Sequence, residues 1–268
     1  MSDKHAREKH GKHAQKNGPD FEEHYSELFP ERWPALKKAL AQEPRYTALE
    51  EGLLQPYYLD EASYAAALQL APEPEEEVLD MCAAPGGKTL ALLSSSPNTW
   101  LTANERSARR RARLKRVLEE HLPPETLERV RVTGHDAARW SQYEQETYDR
   151  ILLDVPCSSE RHVYTSPQHL ARWSPARSKH LAVQAFAMLA SAIETVRTGG
   201  FVLYSTCALS PQENDGVLEK LHRKREGRFE LTAASLPYGE ATEYGWQILP
   251  DTAEGRGPIY FALVRRLR

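Results

Sequence analysis

From Val78 onward, short apolar runs alternate with stretches whose apolar residues recur at helical spacing. Val78-Leu79-Asp80-Met81-Cys82 reads as a buried strand, followed by a glycine turn and the helical run Thr89-Leu90-Ala91-Leu92-Leu93. Thr99 to Asn104 predicts a second strand, Ser107 to Glu120 a long helix, Arg129 to Thr133 a third strand and Asp149 to Val155 a fourth. Ser178 to Val196 predicts a helix ended by Gly199-Gly200. Phe201 to Thr206 is then a fifth strand, Glu213 to Lys224 a helix, and Pro258 to Val264 a last strand. Strands alternating with helices predict an α/β fold: a mostly parallel sheet with helices on both faces.

Ahead of this region the pattern is helical. Tyr25, Leu28, Phe29, Trp33, Leu36 and Leu40 recur three and four apart, and Pro34 suits a helix first turn. The expected organisation is a disordered basic tail over 1–19, a helical N-terminal extension over 20–72 and one catalytic domain over 73–268. The tail holds five Lys/Arg and three His with no apolar period. Glu73-Pro74-Glu75-Glu76-Glu77 forms an acidic connector.

Composition narrows the classes. No apolar run is long enough to span a bilayer, and the first residues lack the apolar core of a secretory signal. Three cysteines, Cys82, Cys157 and Cys207, are too few and too far apart for a disulfide scaffold, and they lack zinc-ligand spacing. The expectation is a reducing compartment (cytoplasm, or mitochondrion in a eukaryote), with no metal and no membrane. A net charge of −3 excludes a globally basic chain but not a basic face.

In parallel sheets, ligands sit at the carboxyl ends of the strands. Here those ends carry Cys82 to Lys88, Asn104-Glu105, Asp136, Asp154 to Cys157, and Thr206-Cys207. Ala83-Ala84-Pro85-Gly86-Gly87-Lys88-Thr89 is not a phosphate loop, because the first glycine of that motif would fall at Cys82. Its glycines still allow backbone to approach a ligand at a helix start. Glu105 stands where an acid holds the ribose hydroxyls of a nucleoside, or is simply solvated. Asp136 accepts from a base amino group or caps a turn. Asp154-Val155-Pro156-Cys157 holds an acid and a thiol on a stiffened turn, and Cys207 brings a second thiol. Seven cations lie within residues 106–116, and they read equally as a solvated helix or as a phosphate-facing strip with one Arg reaching a cofactor. Arg139, Arg161, Arg172, Arg177, Lys179 and His180, interleaved with Tyr143, Tyr164 and Trp173, form a second candidate RNA surface.

The blocks DMCAAPGGKT, DVPCSS and YSTCALSPQEN resemble the signatures of the RsmB/Nop/Sun family of RNA cytosine-5 methyltransferases. FEEHYSELFPERWPAL, YYLDEAS and GPIYFALVRRL are most similar to the branch acting on mitochondrial small-subunit rRNA and its bacterial relatives. The resemblance implies a Rossmann-like, S-adenosyl-L-methionine (SAM)-dependent methyltransferase with a seven-stranded sheet. It implies that Cys82, Ala83, Ala84, Pro85, Gly86, Gly87, Lys88, Glu105, Arg110, Asp136, Ala137 and Asp154 surround SAM, with Glu105 where the family usually has Asp. It implies that Cys207 is the nucleophile and that Cys157 serves product release, with Asp154 and Lys88 placing the base. Ala208 stands where many relatives have Ser. The implied product is 5-methylcytosine in RNA, with rRNA the expected substrate and tRNA an alternative. The mitochondrial branch works with a helical-repeat protein, which makes a protein partner for targeting a further expectation. A catalytically weak RNA-binding assembly factor is the second reading, and DNA methylation is disfavoured by the second thiol.

Overall fold

The computed structural model describes residues 20–96 and 98–268, so the predicted tail over 1–19 lies outside the described residues. The first segment comprises helix α1 (Phe21–Leu28), helix α2 (Trp33–Leu40), strands β1 (Tyr46–Leu49) and β2 (Tyr57–Asp60), and helix α3 (Glu61–Leu68). Asp20 caps α1 by accepting from the Glu23 amide at 2.9 Å, and Asp60 caps α3 through the Ser63 amide at 2.8 Å. The antiparallel hairpin β1–β2 was not legible in the periodicity, which suggested only helices there. Tyr46 pairs with Asp60 and Ala48 with Tyr58, so these four share its outer face. Tyr57 and Leu59 occupy the inner face and pack on the main core.

The main body continues with β3 (Glu77–Asp80), α4 (Gly87–Ser95), β4 (Trp100–Asn104), α5 (Ala108–His121), α6 (Pro124–Leu127), β5 (Val130–Thr133), a 3₁₀ turn (Ala137–Gln142) and β6 (Tyr148–Asp154). It ends with α7 (Glu160–Tyr164), α8 (Pro167–Leu170), α9 (Pro175–Thr195), β7 (Val196–Thr206), α10 (Asp215–Lys224), β8 (Phe229–Thr232), β9 (Glu240–Ala241), β10 (Trp246–Ile248) and β11 (Ile259–Arg266). The sheet order is β5-β4-β3-β6-β7-β11-β10-β9, with β8 also on β11. β3 to β7 are parallel neighbours and β11 runs antiparallel to β7.

Among the described residues this sheet has nine strands rather than seven. The difference arises because β8 and β10 share the outer edge of β11: β8 pairs with Leu263–Arg266 and β10 with Ile259–Phe261. The two-residue β9 extends β10. A second difference lies before β7. The helix α9 stops at Thr195 and strand pairing already starts at Val196, so Gly199 and Gly200 sit inside an irregular strand instead of ending the helix.

Strand alternation explains the layers. Val78, Leu152, Leu203 and Phe261 point to the face covered by α3, α4 and α5, where Leu90, Leu114 and Leu118 meet them. Leu79, Ile151, Leu153, Val202 and Tyr204 point to the opposite face, covered by α9 and α10 through Leu189, Ile193, Val217 and Leu221. Both faces are dry, hence the near-continuous apolar strands. A third cluster joins α1 and α2 to α7 and the segment after β7: Phe21, Tyr25, Trp33, Leu36, Val163, Trp173 and Leu209. Trp173 is only 3% exposed and Tyr164 stacks on Phe21, so these two rings belong to packing rather than to a base-stacking surface. Among the described residues no helix is long and apolar enough to cross a membrane, and no group of His, Cys, Asp and Glu is arranged to hold a metal.

Candidate active site

The order of the sheet reverses between β3 and β6, and the residues carrying chemistry gather at the carboxyl ends around that point. β3 ends in Asp80, which is fully buried. It accepts from the Thr89 hydroxyl at 2.7 Å and from the Cys82 amide at 3.4 Å, tying the strand to the first turns of α4. Burial pushes its carboxyl up to about 7, with the charge of Asp154 adding to that and the Thr89 bond opposing it. Gly86 takes φ +123°, a conformation other residues rarely adopt, and faces Leu114 and Val117 of α5. Gly87 faces Leu59 and Tyr57 of the hairpin.

At the ends of β3, β4 and β5 lies a cavity of about 390 Å³. Five of the residues implied to surround the cofactor, Cys82, Glu105, Arg110, Asp136 and Ala137, line it. Glu105 is almost wholly buried. Its carboxylate accepts from the Ser107 amide at 2.7 Å and pairs with Arg110 at 3.1 Å, and Arg110 also donates to the Ala84 carbonyl at 2.8 Å. Asp136 accepts from the Ala138 amide at 3.2 Å and pairs with Arg106 at 3.2 Å. Asn104, which the sequence reading left without a role, ties this wall together. Its amide donates to the Met81 and His135 carbonyls and its oxygen accepts from Thr133 and the His135 amide. Ala83, Ala84, Pro85, Gly87, Lys88 and Asp154 line a separate recess of about 70 Å³ that shares Cys82 with the cavity.

Lys88 donates to Asp154 at 2.7 Å. Burial pulls the ammonium down, but the charge and hydrogen bond of Asp154 outweigh it and hold Lys88 above its ordinary value. β6 and β7 are parallel neighbours, and Asp154 pairs with Ser205. The turns that follow them therefore start level, and they bring Cys157 Sγ within 2.7 Å of Cys207 Sγ. Both thiols are free. The Ser159 hydroxyl lies 3.0 Å from the Cys207 sulfur, and Ser159 takes a left-handed φ of 55° that aims the turn back over it. The hydrogen bond to Cys207, then burial, holds the Cys157 thiol well above its usual range.

Cys207 also opens outward. It lines a cleft of about 450 Å³ together with Ser159, Arg161 and His162, and with Tyr46 and Asp60 of the hairpin. The hairpin thus forms a wall of the cleft that periodicity did not foretell.

The sequence profile of the 16S rRNA methyltransferase RsmB/F family matches residues 67–265. The chain belongs to this family. It is 33% identical over 233 residues to the 5-cytosine rRNA methyltransferase NSUN4 of Bos taurus, an alignment covering 81% of this chain and 61% of that protein. It is 29% identical over 228 residues to the mitochondrial tRNA (cytosine(34)-C(5))-methyltransferase of Mus musculus, covering 81% of this chain and 66% of that one. The chain thus spans about six-tenths of the length of these relatives. Its fold is like that of NSun6 from Pyrococcus horikoshii, solved with SFG: TM-score 0.67, 24% identity, 79% of this chain and 54% of that one.

In this RsmB/F family member the cation-rich helix α5 splits into inward and outward sets. Arg110 turns inward to Glu105 and Arg111 donates to the Glu105 and Arg106 carbonyls, whereas the exposed Arg116 lies beside Glu120. Arg109, Arg113 and Lys115 are exposed on its outer side.

Proposed function

We propose that this chain is a SAM-dependent RNA methyltransferase that forms 5-methylcytosine in rRNA through a covalent bond between Cys207 and cytosine C6. The observation that carries the reading is the pair of free thiols, 2.7 Å apart at neighbouring strand ends, with one of them facing an open cleft. A buried core thiol would have no such opening.

The cavity suits the cofactor. It has the volume of a small-molecule site and holds a buried carboxylate at the end of β4, where an acid can hold ribose hydroxyls. Glu105 and Asp136 would hold the nucleoside, and a similar fold was solved with SFG. When bound, SAM supplies an electrophilic methyl group.

The residues divide the remaining work. Cys207, as thiolate, adds to C6 and pushes electron density onto C5, which then takes the methyl group. Asp154, fixed by Lys88, accepts from the exocyclic amine of the base and so orients the ring for attack at C6. A water in the open cleft takes the C5 proton, the C–H electron pair re-forms the C5–C6 double bond, and the C6–S bond breaks with its electrons going to Cys207 sulfur. Cys157, held protonated against Cys207, is placed to give its proton to the departing sulfur. The target base must be unpaired or flipped out to enter the cleft.

The test is incubation with SAM and ribosomal or transfer RNA, followed by nucleoside mass spectrometry. 5-Methylcytidine in small-subunit rRNA supports the proposal. Its appearance in tRNA alone moves the substrate to that class, in keeping with the second relative. Absence from every RNA, with no SAM binding by calorimetry, leaves an RNA-binding assembly factor as the better reading.

A further inference from the structure

Two buried glutamates that the chemistry above does not use join the two cysteine turns. Glu160, just after Cys157, accepts from the Leu209 amide at 2.8 Å, just after Cys207. Glu213, at the far end of the Cys207 turn, accepts from the Ser158 amide at 2.9 Å, next to Cys157. The bonds cross, so each turn lends a carboxylate to the backbone of the other. The second oxygen of Glu160 accepts from the Tyr25 hydroxyl at 2.5 Å, which ties α1 to the same point. The Tyr204 hydroxyl donates to the Glu213 carbonyl at 2.5 Å. Both glutamates are essentially without solvent contact, 0% and 1% exposed.

Burying two acids side by side is costly, and apolar residues of similar volume would pack there without that cost. Each carboxylate, however, holds a backbone amide with a charge-assisted bond. Those amides flank the two reacting sulfurs. Burial, with the Glu160 charge next, pushes Glu213 up to about 7, as expected of two acids sharing one dry pocket.

We propose that Glu160 and Glu213 form a reciprocal clamp that sets the distance between Cys157 and Cys207, and that Tyr25 completes it from the N-terminal extension. They are positioning residues for the reaction proposed above, and in that respect the inference rests on that reading. The extension then serves catalysis directly, by bracing the turn that carries Cys207.

Two measurements on the full chain test it. In methyl transfer, Glu213→Ala lowers kcat about 100-fold, the scale of an ångström-sized misplacement, with KM for RNA and affinity for SAM within about threefold of wild type. Glu213→Gln, whose amide oxygen still accepts from Ser158, recovers kcat to within about fivefold. Equal losses in Ala and Gln variants would mean that the charge, not the clamp, matters.

The second measurement needs no RNA. Diamide takes two electrons and two protons from the pair, is itself reduced to the hydrazine, and joins the sulfurs; peptide mass spectrometry reads the 157–207 link. The wild-type pair closes readily and the Glu213→Ala pair at least tenfold more slowly. Equal rates, or no closure in the wild type, overturn the clamp even if methyl transfer is robust. Slow closure in the variant supports it even if no RNA is methylated, which keeps this inference separable from the proposed function. If Glu213→Ala does not fold, Tyr25→Phe replaces it: a several-fold loss in both readouts is expected, and wild-type values in both reject the clamp.

Discussion

Adding a single methyl group at Gly87 separates two explanations for the glycine loop. Read as sequence, Gly87 lacks a side chain so that backbone can approach a ligand. In the structure a Cβ there would stand 2.8 Å from Leu59 Cδ1 and 3.0 Å from Tyr57 Cε1. Ordinary carbon contacts lie near 3.5–4.0 Å, so the Leu59 and Tyr57 side chains of the hairpin must shift by up to roughly 1 Å. Overpacking of this kind costs about 1–3 kcal/mol. Alanine returns about 0.4–1 kcal/mol by restricting the unfolded chain. The net expectation for Gly87→Ala is a loss of about 0.5–2 kcal/mol, seen in urea as a lower midpoint with an unchanged slope. Leu59 precedes Asp60, which caps α3 and lines the cleft, so methyl transfer falls along with stability. SAM affinity by calorimetry stays within about threefold, because the cavity at β4 and β5 is lined by other residues. Gly86→Ala is the control for backbone strain: at φ +123° and with Val117 Cγ1 3.0 Å away it loses more, about 1–3 kcal/mol beyond the packing term. Wild-type stability with lost SAM affinity in Gly87→Ala would show that the glycine serves the ligand and not the hairpin.

Three further outcomes are expected. Cys157→Ala accumulates a protein–RNA adduct that survives denaturing electrophoresis, and Cys207→Ala forms none and is inactive; the reverse pattern exchanges the two roles. Asp80, held near 7 mainly by burial, keeps its proton in the folded chain at pH values where an unfolded Asp, near 3.9, has lost it. Its contribution to stability is therefore complete below about pH 4, is lost as pH rises through about 7 and is flat beyond. The urea midpoint of the wild type should accordingly fall relative to Asp80→Asn between pH 5 and pH 8, and a constant difference would show that Asp80 titrates normally. RNA binding weakens steeply with salt through counterion release, and replacing Arg109, Arg113 and Lys115 together by Ala flattens that slope; an unaltered slope excludes the outer side of α5 as a phosphate contact.

What the amino-acid order determined by itself was local. Apolar runs such as Ile151-Leu152-Leu153 must be buried on both faces, and between helices that admits little but a parallel strand, so the α/β class and the strand-end positions of Glu105, Asp154 and Cys207 were legible. The signature blocks marked the family for the same reason, being contiguous. Placement across the chain was not legible. Cys157 and Cys207 meet only because β6 and β7 are in-register neighbours, a matter of sheet order. Trp173, grouped by sequence with surface cations, is buried because α1 and α2 fold over it. The hairpin escaped notice because its outer face exposes Tyr46 and Tyr58, which blurs the alternation. Glu160 and Glu213 carry no signal in the sequence, because the amides they hold, Leu209 and Ser158, lie on the other cysteine turn and are brought to them only by the fold. Periodicity reports which side of an element is dry, whereas a partner distant in sequence is chosen by the packing of whole elements.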